Sequence, residues 1–379
     1  MRDILFVIND LQTGGTERQA ALLAGELTKA GIPVTLYSFA EGPSRRLFEQ
    51  GGVEVMTARG GALSIPFAAM HLFWLMLTRR PRLVHFFLPG AYLVGAPLAA
   101  LARIPARVMS RRSLNAYQRN GFIRAVERLL HRTMHAVLGN SRGVVAQLRE
   151  EGVAPGCLGL IYNGIDPAQF AGGERHAARA RLGLSPQALV MCIVANLIPY
   201  KGHRDLIAAL ALAAPSLPPG WRLLVAGRDD GIGAQLKEQA QRLGLQDNIV
   251  FLGLRTDVGD ILGASDIGLL CSHEEGFSNA ILEGMSAGLP MIVTHVGGNA
   301  EAVADGETGT VVPPHDPAQL AAAIVRLAAD PALRARMGGA GRTRVAARFG
   351  VPQFVLGHRK LYDALLAGKT PADVPEIKA

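Results

Sequence analysis

At 379 residues the chain is too long for one ordinary domain and suits two of about 180, and its 49% apolar content is ample for two cores. The 44 glycines and 22 prolines follow no period, which indicates many short turns between elements and excludes a disordered chain. The net charge of +8 is uneven: residues 1–170 hold 19 Lys+Arg against 11 Asp+Glu, whereas residues 171–379 hold 20 against 20.

The first apolar run, ILFVI at 4–8, spans five residues between Asp3 and Asp10. It is too short for a secretory signal and reads as a buried parallel strand. The loop LQTGGTERQ follows, then an amphipathic helix ending near Gly31 and a strand in IPVTLYSF. Gly14 and Gly15 at that first turn fit flexible turn geometry and equally a close approach of the backbone to a ligand. Residues 66–77 (PFAAMHLFWLML) form an apolar helix. The greasy stretch 83–102 contains His85, Pro89, Gly90 and Pro97, so a strand, a turn and a helix explain it better than a membrane span. Strands near 53–56, 83–86, 107–110 and 136–140, with helices between them, predict a doubly wound parallel sheet. Asn163-Gly164 and Asp166-Pro167 are turn chemistry and put a domain boundary near 168. The second half repeats the alternation, with strands near 189–195, 222–226, 249–252, 267–271, 291–294 and 310–312 and a last helix over 352–366.

Cys157, Cys192 and Cys271 form no CxxC pair and lie in or beside apolar runs, which suits buried residues in a reducing cytosol and argues against metal or redox chemistry. Between Arg79 and Arg132 stand eleven arginines and one acid, Glu127. Clustering of that kind points to a partner. Nucleic acid is a poor candidate for it, because few aromatics are interleaved and no nucleic-acid motif is present.

The stretch 272–290, SHEEGFSNAILEGMSAGLP, places Glu275 and Glu283 eight residues apart. Ser278 and Asn279 before an apolar run are a helix-start signal, with Glu275 in the loop and Glu283 one turn inside. Eight residues at helical pitch span roughly 12 Å, about the length of a nucleotide sugar from hexose to ribose hydroxyls. Between the carboxylates, the amides of the helix N-terminus favour an anion such as a diphosphate. An ordinary capped helix with a solvated glutamate at each end has the same spacing.

Glu275-Gly276-Phe277 followed by Glu283-Gly284-Met285 resembles the E-x7-E motif of the retaining glycosyltransferases of family 4. That resemblance implies an α/β GT-B fold, with two Rossmann-like doubly wound parallel-sheet domains facing across a cleft. Residues 1–168, with 352–379 crossing back, would form the acceptor side and residues 169–351 the donor side, LIYNGIDPAQF at 160–170 resembling the hinge. It also implies that Gly14, Gly15 and Thr16 lie against the donor, and that NLIPYKGHRDLI supplies the diphosphate clamp through Lys201. Asn196 stands where the family's arginine is usual and carries over as a hydrogen-bond donor. THVGGNAEAVADGETG resembles the turn closing the donor pocket, through Gly297 and Gly298. Gly276, Phe277, Ser278, Asn279 and Arg228 join the donor set, Phe277 more as packing beneath the loop than as a stacking partner. On the acceptor side, Arg111 and Arg112 occupy the region where many members place a histidine, and His85 is the other candidate, although a lone histidine among apolar residues also suits the core.

Transfer of a sugar from a nucleotide sugar to an acceptor hydroxyl, with retention, is the function so implied. Glu275 and Lys201 would be the catalytic pair, with no metal pair and no cofactor. Glycosidase chemistry needs two carboxyls roughly 5 to 10 Å apart, which this spacing exceeds. A sugar-nucleotide epimerase and a non-catalytic saccharide-binding subunit share the fold. The arginines beside the apolar helix 66–77 lead to a lipid-linked saccharide acceptor at an anionic membrane surface, on the cytoplasmic face. Burial of that helix against the sheet, with the arginines serving an acidic soluble acceptor, is the alternative.

Overall fold

The computed structural model describes residues 4–58, 65–114, 121–170 and 175–378. The chain forms two compact units, residues 1–164 with 351–379 and residues 165–350.

The first unit runs β1 (Ile4–Ile8), α1 (Gly15–Lys29), β2 (Val34–Ser38), α2 (Arg45–Gln50), β3 (Glu54–Thr57), α3 (Ile65–Arg79), β4 (Leu83–Phe87), α4 (Pro89–Leu101), β5 (Ala106–Arg111), α5 (Gly121–His131), β6 (Ala136–Gly139), α6 (Arg142–Glu150) and β7 (Leu158–Leu160). Its seven strands pair in the order β3-β2-β1-β4-β5-β6-β7, and every registered pairing is parallel. Both faces of this sheet are covered by helices, so β1 and β4 are buried at every residue; β1 is an unbroken apolar run and β4 is apolar apart from His85. One face packs α3, α4 and α6 through residues such as Leu72, Tyr92 and Leu148. The other packs α1 and α2 through Leu23 and Phe48.

The second unit runs α7 (Arg175–Arg181), β8 (Val190–Val194), α8 (His203–Ala213), β9 (Arg222–Ala226), α9 (Gly233–Arg242), β10 (Ile249–Gly253), α10 (Val258–Ala264), β11 (Ile267–Leu270), α11 (Asn279–Ser286), β12 (Met291–Thr294), α12 (Asn299–Ala302), β13 (Gly309–Val312), α13 (Pro317–Ala329) and α14 (Pro331–Arg348). Its sheet has the order β10-β9-β8-β11-β12-β13, again parallel. Local signals fix several ends. Asp316 and Asp330 accept from Gln319 N and Leu333 N ahead of prolines that open α13 and α14, caps worth about 1 kcal/mol each. The final helix, α15 (Val351–Leu366), contacts α1 and returns Phe354, Leu361 and Tyr362 to the core of the first unit.

The doubly wound α/β architecture expected from the alternation is present in both halves. The short strand β7 was not expected; three residues around Gly159 carry too little pattern to signal it. Among the described residues, no helix is long and apolar enough to cross a membrane.

Candidate active site

In an open parallel sheet, ligands bind beyond the carboxyl ends of the strands, where the strand order reverses. In the second unit that point lies between β8 and β11, and the turns leaving these two strands carry Lys201 and Glu275. Lys201 closes a short helical turn over Pro199–Lys201, followed by Gly202 with φ +71°. A Cβ at Gly202 would stand 1.8 Å from Cys271 O, so only glycine lets this turn press against the end of β11. His273 N donates to Tyr200 O at 2.7 Å and joins the two turns.

These contacts bring Lys201 Nζ to 2.6 Å from Glu275 Oε1, with both side chains mostly buried. Ser272 Oγ donates to the same carboxylate oxygen at 2.7 Å. Ser272 is fully buried, and its carbonyl accepts from Thr294 Oγ1 at 2.5 Å, while Asn299 Nδ2 donates to Thr294 O at 3.1 Å. A hydrogen-bonded chain thus runs from the end of β12 to the Glu275 carboxylate. Gly297, at φ +49°, lies so close that a Cβ there would be 1.8 Å from Glu275 O. Gly298 N donates to Gly276 O at 2.7 Å. That amide is therefore used inside the protein, tying the 297–298 turn to the loop that carries Glu275.

Ser278 is the N-cap of α11 and Asn279 its first residue, and Glu283 sits one turn inside, 3% exposed. Phe277 is buried, its ring 5.3 Å from that of Phe349. It packs beneath the loop, as expected of it in preference to a stacking role. Asn196 Oδ1 accepts from Arg228 N at 3.1 Å, which leaves the NH2 as the donor end of that side chain. The Arg228 guanidinium is exposed and ion-paired with Asp230 at 2.6 Å, so a bound anion would have to compete for it.

In the first unit the order reverses between β1 and β4. Gly14 caps α1 beyond β1, Gly15 opens the helix and Thr16 is half-buried beside them. A Cβ at Gly14 would meet Glu17 Oε2 at 2.1 Å, because the Glu17 side chain folds back over it. Burial raises the Glu17 pKa, Asp10 adds to the rise and Arg112 opposes it. Arg112, just beyond β5, donates to Asn163 Oδ1 at 2.6 Å, and burial lowers its pKa to about 10. Asn140 Nδ2 reaches the same Asn163 oxygen at 3.3 Å. Gln19 donates to Gly164 O at 2.7 Å and accepts from Gly164 N at 2.8 Å, pinning the chain where it leaves the first unit.

Two expected acceptor-side residues are core residues instead. His85 is fully buried, with Nδ1 2.6 Å from Tyr362 OH and Nε2 2.7 Å from Ser110 Oγ, and burial drives its pKa well below the usual histidine value. Arg111 is buried, its guanidinium held by Glu151 at 2.8 Å and Glu127 at 3.4 Å. The arginine-rich stretch is likewise not one surface. Arg107 turns in to the carbonyls of Thr133 and Ile104, Arg79 pairs with Glu54, and Arg119 lies outside the described residues. Arg80, Arg82, Arg103, Arg124, Arg128 and Arg132 remain exposed.

Glu17, Gln19, Asn163 and Ser272 were not singled out from the sequence as site residues. Only Glu17 left a usable signal, an acid in the first turn of a helix.

Residues 13–169 match the family model described as Glycosyltransferase Family 4, and residues 174–344 match Glycosyl transferases group 1. This chain belongs to the group 1 glycosyltransferases. A D-inositol 3-phosphate glycosyltransferase of Stackebrandtia nassauensis is 37% identical to this group 1 chain over 195 residues, 49% of the chain and 44% of that protein. The chain spans about half the length of the curated relatives it matches. Among solved structures, Anabaena Alr3699/HepE in complex with UDP-glucose aligns with a TM-score of 0.86 at 23% identity, covering 95% of this chain and 99% of that one. Sucrose-phosphate synthase from Thermosynechococcus elongatus aligns with a TM-score of 0.82 at 23% identity, covering 97% and 100%. The group 1 chain thus has the GT-B glycosyltransferase fold.

Proposed function

We propose that this chain is a retaining hexosyltransferase that moves a sugar from a nucleoside-diphosphate sugar to an acceptor hydroxyl. The observation that carries the reading is the Lys201–Glu275 pair at the β8/β11 switch point. In this reading Lys201 exchanges Glu275 for the donor diphosphate, and its charge stabilises the leaving group as the glycosidic bond breaks. Glu275, held by Ser272, orients the hexose hydroxyls, and Glu283 orients the ribose. Positioning and electrostatics supply the catalysis, with no metal ion assigned to the reacting bond. Thermal melting with a panel of UDP-, GDP- and ADP-sugars tests it, since a bound donor raises stability by mass action. UDP-glucose, the ligand of the Anabaena structure, is the first to try. A chain stabilised by none of them overturns the reading.

The acceptor we favour is a lipid-linked saccharide at the cytoplasmic face of an anionic membrane. Phe67, Met70, Trp74 and Leu77 stand at helical spacing along α3, exposed by between 46% and 66%. Exposed Arg124 and Arg128 lie on α5, which packs with α4 in the same layer as α3. Glu127, the single acid of α3, α4 and α5, is buried against Arg111. An apolar row beside unopposed cations suits the surface of an anionic bilayer. Sedimentation with vesicles of varied anionic lipid content, at low and 0.5 M salt, tests this, because screening must weaken attachment. A protein that stays in the supernatant at low salt overturns the membrane reading alone. Arg112 and the D-inositol 3-phosphate of the curated relatives favour a second reading, a soluble polyol phosphate acceptor.

A further inference from the structure

Three side chains from three separate connections meet in the second unit. Asp205 lies in the first turn of α8, His273 follows β11 and His315 follows β13. His273 Nε2 is 2.7 Å from Asp205 Oδ2, and His315 Nδ1 is 3.8 Å from the same oxygen. One ligand atom from each residue lies within 4.8 Å of the other two. The imidazole rings sit 3.7 Å apart, centroid to centroid. His315 adopts φ +59°, a conformation uncommon for a residue with a side chain, and it is 66% exposed. Burial therefore does not explain why this ring is set against a second imidazole.

We propose that Asp205, His273 and His315 form a binding site for a divalent transition ion of the zinc class. Two neutral imidazoles and a carboxylate are a common donor set for such ions, with water completing the shell. At zinc–ligand distances of about 2.0–2.2 Å, neighbouring ligand atoms stand roughly 3.4 Å apart. The observed separations of 2.7 and 3.8 Å bracket that value. His273 lies two residues before Glu275, and its amide holds the turn that carries Lys201. An ion here would clip α8, the loop after β11 and the loop after β13 together, bracing both turns from outside the pair they present.

The test is thermal melting of the metal-stripped full chain with zinc chloride, with magnesium chloride as control. Saturating zinc should raise the midpoint by about 5 °C, and magnesium should leave it unchanged. His315→Asn removes the imidazole while tolerating the left-handed backbone, and Asp205→Asn removes the charge; each should lose the zinc-dependent rise measured against its own metal-free midpoint. Cobalt(II) gives a second readout, an intense visible absorption in the wild type that is absent from His315→Asn. A wild type unmoved by zinc, or a rise retained in His315→Asn, overturns the site.

Discussion

Lys201 Nζ and Glu275 Oε1 stand 2.6 Å apart, and the same oxygen takes the Ser272 hydroxyl at 2.7 Å. The ammonium is therefore held in place before any anion arrives, as a preorganised charge should be. Lys201→Ala is expected to cut turnover about 100-fold, a loss of roughly 3 kcal/mol at the transition state. Because the two residues touch, the double variant Lys201→Ala, Glu275→Gln should lose less than the sum of the single losses. Turnover at saturating donor checks both statements; a normal rate in Lys201→Ala means the clamp has been misassigned.

Ser272 acts through Glu275. Ser272→Ala removes one donor from the carboxylate at a buried position, a change of about 1 kcal/mol, so kcat should drop by roughly 5-fold with KM little altered. Steady-state kinetics would detect this. A larger effect on KM than on kcat would instead make Ser272 part of donor binding.

Gly297 and Gly306 both have positive φ, at +49° and +76°, but only Gly297 faces a neighbour, Glu275 O. Alanine at Gly306 meets backbone strain alone, about 1 kcal/mol. At Gly297 it also pushes the Glu275 backbone aside. Urea titration and turnover of the two variants should separate them: similar small stability losses with normal activity for Gly306→Ala, and a larger loss with little activity for Gly297→Ala.

Buried histidines set an acid limit on the first unit. Burial lowers the His358 pKa from 6.5 to about 3, and His85 is shifted in the same direction. Below pH 6.5 the unfolded chain takes up protons that the folded chain refuses. The stability is thus fully present above 6.5 and is lost as pH falls toward 3. His358→Gln, which can still donate to Phe354 O, should flatten the decline in melting midpoint between pH 7 and pH 5. An unchanged slope would place the acid sensitivity elsewhere.

The alternation of apolar runs and turns carried most of the fold, because the central strands are buried on both faces and are apolar at nearly every residue. Ser278 and the spacing of Glu275 to Glu283 were legible for a local reason, a helix start. His85 was legible as a core candidate, a lone histidine in an apolar strand, although its partner Tyr362 lies 277 residues away; Arg111 was not, since its partner Glu151 lies 40 residues away. Ser272 looked like any loop serine, because its value lies in where β12 places Thr294. Asp205, His273 and His315 lie on a helix and two separate loops and meet only through the sheet order.

The central claim is that Glu275 and Glu283 address the two ends of one nucleotide sugar. Calorimetric titration with the free nucleoside diphosphate of the stabilising donor tests it most directly. The account predicts near-normal affinity in Glu275→Gln, with transfer lost, and an affinity lowered about 10-fold or more in Glu283→Ala, the loss of one charged hydrogen bond to the ribose. Equal loss of affinity in the two variants, or none in either, would contradict it.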